Sequence, residues 1–453
     1  MKKIIFLSLI LLVLAASGCL DRAATPAATS VPPVNVTGTP SPVSPGPTVE
    51  TKPPATPAQP APTTTAGPSP RTPAATRTPR PTPGKADIQV QNMDTETDFP
   101  QTITFSLKAR SPVNITRIAI RYSTGRITVA PVISEAVVNF QPAGTADVRW
   151  VWDMRKGGIP VGAKIKYQWV LTDDKGGRLT TEMNELTYID PRFTGKSSLS
   201  WGDVNIYWYD GSLRFGQTLM DAAQGALEKL TQNTGATLER PANIYIYSGT
   251  QDLQSSLVFP QEWTGGVAFT DYSIVVIGIS PDNQSLAWGK RTVAHELAHL
   301  VTHQVTFNPY GVQLPTWLNE GLSQYAEGDI EQSTIDRLKK ASRDGKLFSV
   351  RSLSGSFSAN SDEALLSYAE SESLVRYLIE KFGRDKMQQY LGLFKDGVEA
   401  EEGLMKVYGY NYDSLNTVWQ SNLKTGFQVN NHYFLPVLSG IFLPVRLNMG
   451  KAW

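Results

Sequence analysis

The sequence of 453 residues has little cysteine, little histidine and little net charge. Its one cysteine excludes an internal disulfide framework, a cysteine-type zinc finger and an iron–sulfur cluster, since each of these needs several thiolates. Charged residues make up 18% of the chain and the formal net charge is +1, so the strongly positive field that nucleic-acid binding requires is missing. The hydrophobic content of 41% is sufficient for packed cores.

The lone cysteine, Cys19, follows a segment typical of a secretory signal. Lys2 and Lys3 give a positive start, 4–14 is an almost unbroken apolar run, and 15–18 are small residues. The run is too short to span a bilayer comfortably, which favours a signal peptide over a membrane helix. The ending resembles a bacterial lipobox, with Ala16 where leucine is preferred. The resemblance implies a signal peptide over 1–19, lipidation of Cys19, and a chain anchored to the cell membrane on its extracytoplasmic face.

The next segment, 20–85, differs sharply in composition from the rest of the chain. It contains 18 of the 31 prolines and no aromatic residue, and alanine, threonine, serine and proline fill most of it. Such a segment buries too little apolar surface to offset its ordering entropy. We therefore predict a disordered Pro/Thr/Ala-rich linker over 20–85 that works as an extended spacer.

Two folded parts are predicted after the linker, in an α+β chain. Between 86 and 195, polar and apolar residues alternate over 102–107, 115–122 and 164–171, which predicts an immunoglobulin-like antiparallel β-sandwich. From 196 to 427 the pattern gives strands first, including a hairpin over 266–277, and helices later. The last segment, 428–453, is an apolar tail whose prolines and Gly440 break any membrane helix.

The most informative residues are His295, Glu296 and His299, which form an H-E-x-x-H motif on a helical stretch. A spacing of four residues places the two imidazoles about 40° apart on one helix face, where both can bind one Zn²⁺. Glu296 lies roughly 100° away around the helix, so it flanks the metal and is placed to accept a proton from a water that the zinc activates. Half of the four histidines belong to this motif.

A third ligand is predicted in Glu320, on a second helix that begins near Pro315. A carboxylate from this helix completes three protein ligands and leaves one coordination position open, as in catalytic zinc sites. Gly321 would allow the helix to approach its neighbour closely.

Together, the H-E-x-x-H motif and the stretch 317–321 resemble the gluzincin metallopeptidases, in particular the peptidase MA-like domains related to the alanyl aminopeptidases. The resemblance covers roughly 200–425 and implies a zincin-like fold, with His295, His299 and Glu320 as zinc ligands and Glu296 as general base. It also points to Tyr368 as a donor to the oxyanion of the tetrahedral intermediate, with core packing as the alternative. The spacer after His299 is 20 residues long instead of the usual 18. The glycine-rich exopeptidase signature of the family is absent, because the corresponding stretch 265–268 lacks its acidic residue, and this favours an endopeptidase or an unassigned hydrolase.

Three further features have weaker interpretations. His303 is not placed as a ligand and is expected near the site or on the surface. Gln324, one turn after Glu320, is a candidate for orienting a ligand imidazole. The hairpin over 266–277 is a candidate for pairing with an extended substrate, with packing in the sheet core as the alternative.

The sequence therefore predicts a membrane-anchored, extracytoplasmic, zinc-dependent peptidase that acts on peptides or proteins. The alternative from another class is a non-catalytic surface lipoprotein whose sandwich and zinc-bearing domain recognise a ligand or wall component. Glu296 argues against this alternative, since a binding module has no need of a general base. No nucleic-acid partner and no particular oligomeric state are predicted.

Overall fold

A computed structural model of the chain describes residues 86–156, 158–258 and 265–429. The predicted signal peptide with Cys19, the predicted linker over 20–85 and nearly all of the predicted tail from 428 lie outside these residues. Within the described ranges, none of the helices combines the length and the apolar character that crossing a membrane would require.

The first part is an antiparallel sheet of seven strands. Asp173 closes the hairpin between β5 and β6, because its Oδ1 accepts hydrogen bonds from the backbone N–H groups of Lys175 at 3.0 Å and Gly177 at 2.7 Å. The strands are β1 (Gln89–Asp98), β2 (Thr102–Thr124), β3 (Ser134–Val138), β4 (Ala143–Asp153), β5 (Lys164–Asp173), β6 (Arg178–Thr180) and β7 (Asn184–Thr187).

Strand β2 determines the shape of this sheet. Its first half pairs with β1 and β4, its second half pairs with β3 and β5, and its register shifts between Arg110 and Ile115. The two predicted strands over 102–107 and 115–122 are therefore halves of one long strand. An immunoglobulin-like sandwich is not confirmed, since β2 joins its neighbours into a single curled sheet. Ile103, Phe105 and Leu107 are fully buried on its inner face, as the alternating pattern predicts.

The second sheet has five strands in the order β11-β12-β10-β9-β8. Strands β9, β10 and β12 are parallel, while β8 and β11 run antiparallel at the two edges, so the predicted hairpin over 266–277 is confirmed. Helix α1 (Leu213–Thr234) connects β9 to β10, and α2 (Thr250–Ser256) follows β10. The strands are β8 (Ser197–Trp201), β9 (Val204–Trp208), β10 (Ala242–Tyr247), β11 (Gly266–Phe269) and β12 (Ile274–Gly278).

Helices make up the rest of the described chain, which confirms the α+β class. Asp282 caps the first of them by accepting from the backbone N–H groups of Gln284 and Ser285, both at 2.9 Å. The helices are α3 (Asn283–Thr306), α4 (Thr316–Ala326), α5 (Gln332–Arg343), α6 (Val350–Leu353), α7 (Ser361–Lys395), α8 (Ala400–Tyr408) and α9 (Tyr412–Val429).

The second sheet is buried on both faces. Alternate residues such as Ile244 and Ile246 pack against α1 and α3, while Tyr245 and Tyr247 point the other way and join the hydrophobic core of the first sheet. The two sheets therefore share one core, although the sequence analysis placed a domain boundary between them at 195/196.

Candidate metal centre

Helices α3 and α4 bring three predicted ligands together. Nε2 of His295 and Nε2 of His299 lie 3.2 Å apart. Oε2 of Glu320 lies 3.4 Å from the first nitrogen and 3.6 Å from the second. A protein site for a metal ion such as zinc needs at least three histidine, cysteine or acidic side chains whose ligand atoms lie close together. Among the described residues, the group that meets this condition is His295, His299 and Glu320.

The donor set fits a zinc ion on its spacing. A tetrahedral ion with bonds of about 2.0–2.1 Å keeps its ligand atoms about 3.3 Å apart. The three separations of 3.2, 3.4 and 3.6 Å lie close to this value. Two imidazole nitrogens and one carboxylate oxygen are also the ligand types that zinc accepts, and three protein ligands leave one position for a reactant.

The hydrogen bond at the far side of His295 fixes the orientation of its ring. Nδ1 of His295 donates to Oε1 of Glu327 at 2.8 Å, so Nε2 faces the other candidate ligands. Glu327 follows the last residue of α4, and its side chain is fully buried. Its second oxygen lies 2.8 Å from a guanidinium nitrogen of Arg291, which compensates the buried charge.

His299 is oriented from the same helix as Glu320. Its Nδ1 lies 3.2 Å from Oδ1 of Asn319 and 3.1 Å from Oγ of Ser323, so its Nε2 is also presented toward the ligand cluster. The prediction that Gln324 orients a ligand imidazole is wrong. In the described part of the chain, the partners of the two rings are Glu327, Asn319 and Ser323.

The electrostatics of the cluster favour the charged forms of His295 and Glu320. Burial lowers the pKa of His295, but hydrogen bonds with Glu320 and Glu327 outweigh this and raise it well above its ordinary value. Burial raises the pKa of Glu327, although its hydrogen bond with His295 and the positive charge of Arg291 oppose this shift. Burial opposes ionisation of Glu320, yet the nearby imidazoles lower its pKa overall.

Glu296 lies on the side of α3 that faces the edge strand β11. A Cβ built on Gly266 of this strand would lie 3.1 Å from Oε1 of Glu296 and 3.1 Å from Cγ2 of Thr292. The carboxylate therefore passes directly over the glycine backbone. The sequence places Gly266 at the start of the predicted hairpin over 266–277 but does not predict its close approach to Glu296.

Tyr368 lies on α7, within electrostatic reach of the cluster. Burial raises the pKa of its hydroxyl, and the charges of Glu320 and Glu296 raise it further. The hydroxyl therefore stays protonated and available as a donor. Its ring also packs edge-on against Phe357, with centroids 5.2 Å apart, so the side chain has both a packing contact and a position near the carboxylates.

Two further predictions concern His303 and Gly321. Nε2 of His303 lies 3.3 Å from Oδ1 of Asp271, apart from the three-donor cluster, in line with its exclusion as a ligand. Gly321 allows a close approach as predicted, although its neighbour is α7. A Cβ there would meet the carbonyl oxygen of Ser371 and would lie 2.6 Å from Cγ2 of Val375.

Comparison with known families gives a match over the part of the chain that contains this site. Residues 222–425 match the family model described as Peptidase MA superfamily, and this range contains all the predicted ligands together with Glu296 and Tyr368. The match supports a peptidase MA-like domain in this part of the chain. No curated protein matches the sequence.

Solved structures give more distant likenesses. OgpA from Akkermansia muciniphila aligns at 11% identity and a TM-score of 0.19, over 23% of this chain and 29% of its own. Aminopeptidase A from Legionella pneumophila, solved with aspartic acid, aligns at 10% identity and a TM-score of 0.30, over 74% of this chain and 49% of its own. The chain thus spans less than a third of OgpA and about half of the aminopeptidase.

Proposed function

We propose that this chain is a zinc-dependent endopeptidase held at the extracytoplasmic face of a membrane by a lipid on Cys19. The observation that supports the enzymatic part best is the convergence of His295, His299 and Glu320 at separations that suit one zinc ion. The family match over 222–425 supports a peptidase. The signal-like segment before Cys19 supports the anchor.

In this proposal the side chains around the metal divide the chemistry between them. Zinc, when bound by the three ligands, supplies Lewis-acid polarisation of the scissile carbonyl and of the attacking water. Glu296 takes a proton from the water at a carboxylate oxygen and later transfers it to the leaving amine. Tyr368 donates its hydroxyl hydrogen to the oxyanion, as preorganised donors generally do. Glu327, Asn319 and Ser323 hold the imidazoles in place.

Strand β11 offers a way to hold the substrate backbone. It is the terminal strand of the five-stranded sheet and, among the described residues, it pairs only with β12. An extended peptide could add to its outer edge by main-chain hydrogen bonds, next to the carboxylate of Glu296.

A peptide-library assay with one substitution tests the enzymatic proposal. The purified protein is screened against peptides that are acetylated at the N-terminus and amidated at the C-terminus, with and without a chelator. We expect chelator-sensitive internal cleavage, which an exopeptidase would not give with both ends blocked. Glu296→Gln should keep its zinc and lose hydrolysis, while Glu228→Gln, an exposed glutamate of α1, should leave both unchanged. A zinc-loaded Glu296→Gln that still cleaves would refute the assigned mechanism.

The membrane anchor needs a separate experiment. In a bacterial host, the wild type should incorporate labelled palmitate and sediment with membranes, whereas Cys19→Ser should do neither. Equal membrane association of the two would refute the anchor and leave the enzymatic proposal untouched.

A further inference from the structure

A cavity of about 920 Å³ lies at the first sheet, on the side where that sheet meets the second sheet. Its lining is strongly basic for a chain with a net charge of +1, since it contains five cationic side chains and one carboxylate, that of Glu185. We call this cavity the basic groove. Its cations are Arg126, Lys156, Lys164, Lys166 and Arg240.

Three of the groove's cations are available to a ligand. Lys164 pairs with Glu185 at 2.8 Å, and Arg126 pairs with Asp271. Lys156, Lys166 and Arg240 are exposed, and they form no ion pair with a carboxylate among the described residues. The lining of the groove therefore carries more positive than negative charge, and this favours an anionic ligand.

The groove also has aromatic and apolar surface. Tyr122 and Trp152 line it with ring centroids 4.6 Å apart, and Val132 at its border is 66% exposed. An inorganic anion would use none of this surface. A polypeptide segment that combines carboxylates with apolar side chains would use both kinds of contact.

Arg126 connects the basic groove to the metal centre. It also lines a neighbouring cavity of about 450 Å³, whose lining includes His299 and His303. The loop that carries it is fixed to the turn between β11 and β12: Nε of Arg126 lies 2.6 Å from Oδ2 of Asp271, and the N–H of Ile127 donates to the carbonyl oxygen of Asp271 at 2.5 Å. Arg126, on the loop after β2, is thus part of the lining of the cavity next to His299.

We propose that the basic groove is a docking site for an acidic polypeptide segment of the substrate, whose neighbouring residues enter the metal cleft past Arg126. The delivery to the metal rests on the proposed peptidase function, whereas the docking does not. The site therefore selects substrates by an acidic, partly apolar stretch that lies away from the cleaved bond.

A binding experiment tests the docking by itself. The probe is a fluorescein-labelled peptide of twelve residues that alternates glutamate with leucine, and it is titrated into full-length Glu296→Gln protein while polarisation is measured. We expect saturable binding that weakens with added salt. Adding Lys156→Ala and Lys166→Ala should weaken it about tenfold, the effect of losing two exposed ion pairs. The matched pair Lys175→Ala and Lys196→Ala, exposed lysines of the same region outside the groove, should leave it unchanged.

Three results would overturn the docking proposal. One is equal binding by the groove variant and the control variant. Another is equal binding of a probe with lysine in place of glutamate. The third is groove-dependent binding of polygalacturonate or of phosphatidylserine vesicles without binding of the acidic peptide, which would assign the groove to a glycan or a membrane.

A cleavage experiment tests the delivery step. A peptide that the wild type cleaves is extended with the glutamate–leucine segment or with a matched glutamine–leucine segment. The acidic extension should raise kcat/KM about tenfold through KM, and the groove variant should abolish this advantage. If no peptide is cleaved, the peptidase proposal fails while the polarisation result still decides the docking. If cleavage occurs with no preference for the acidic extension, delivery is refuted.

Discussion

Glu327 binds His295 and Arg291 at the same time. One carboxylate oxygen accepts the Nδ1 proton of His295 at 2.8 Å, and the other lies 2.8 Å from the Arg291 guanidinium. The side chain of Glu327 is fully buried, whereas that of Arg291 is 22% exposed. A buried carboxylate in this position makes the imidazole a stronger ligand and holds its ring in one orientation.

Glu327→Gln should therefore weaken zinc retention by about 10–100-fold, because the amide keeps an acceptor but loses the charge. Zinc content is measured by mass spectrometry after dialysis against a series of chelator concentrations. Glu331→Gln is the matched control, since Glu331 lies 3.5 Å from the same arginine and does not contact His295 in the described structure. Equal retention by the two variants would show that Glu327 has no role in metal binding.

Gly266→Ala should slow hydrolysis without loss of zinc. The added methyl group would lie 3.1 Å from Oε1 of Glu296, so the carboxylate must shift by a few tenths of an ångström. Such a displacement of a general base should lower kcat about tenfold or more. Gly225→Ala on α1 is the control, because a Cβ there meets nothing within 4 Å. Full activity of Gly266→Ala would mean that Glu296 tolerates a different position.

Removal of the metal should lower the thermal stability of the protein. The ion would join α3 to α4 through His295, His299 and Glu320, and a ligand present at 100 times its dissociation constant contributes about 2.7 kcal/mol to the free energy of unfolding. We expect chelation to lower Tm by about 4 °C in scanning calorimetry, and added zinc to restore it. A Tm that chelation leaves unchanged would argue against a tightly bound ion.

The buried carboxyl group of Glu370 should make the free energy of unfolding decrease as the pH rises. Burial raises the pKa of Glu370 from 4.5 to about 8, and the backbone N–H of Phe348, which donates to both of its oxygens, only partly opposes this. Between these two values the folded chain keeps a proton that the unfolded chain has lost, so the free energy of unfolding decreases by about 1.4 kcal/mol per pH unit and levels off above about pH 8.

Glu370→Gln removes this titration. Denaturant unfolding is measured at pH 5 and at pH 8.5. Between these two values, the free energy of unfolding of the wild type should fall by about 2 kcal/mol or more relative to that of Glu370→Gln. Glu363→Gln, at the exposed start of the same helix, should follow the wild type at both pH values. Parallel pH profiles for wild type and Glu370→Gln would refute the raised pKa.

The two candidate histidine ligands could be predicted from sequence because their spacing is local. His295 and His299 are one helical turn apart, so any helix puts them on one face. The residues that orient them could not be predicted with the same certainty, since Glu327 meets His295 across 32 positions of sequence through the packing of α4 on α3. The sequence analysis proposed Gln324, one turn beyond Glu320, as the residue that orients a ligand imidazole. Glu327 lies two turns beyond it, on the same helix face, and this spacing was the available signal.

The fold shows the same difference between what a local segment determines and what contacts between distant segments determine. The alternation over 102–107 and 115–122 correctly predicted strands with a buried face, because that pattern is a property of each segment. It could not show that both segments belong to β2, since the continuity depends on partners in β1, β3, β4 and β5. Likewise, tyrosines at positions 245 and 247 indicate a strand, but only the assembled sheet shows that they complete the core of the first part.

That common core limits how such a chain could be rearranged during evolution. An unrelated sheet in place of the first sheet would need a surface that packs against Tyr245 and Tyr247. It would also need a loop that reproduces the hydrogen bonds of Arg126 and Ile127 with Asp271. Replacing either sheet would therefore require matching changes in the surface of the other.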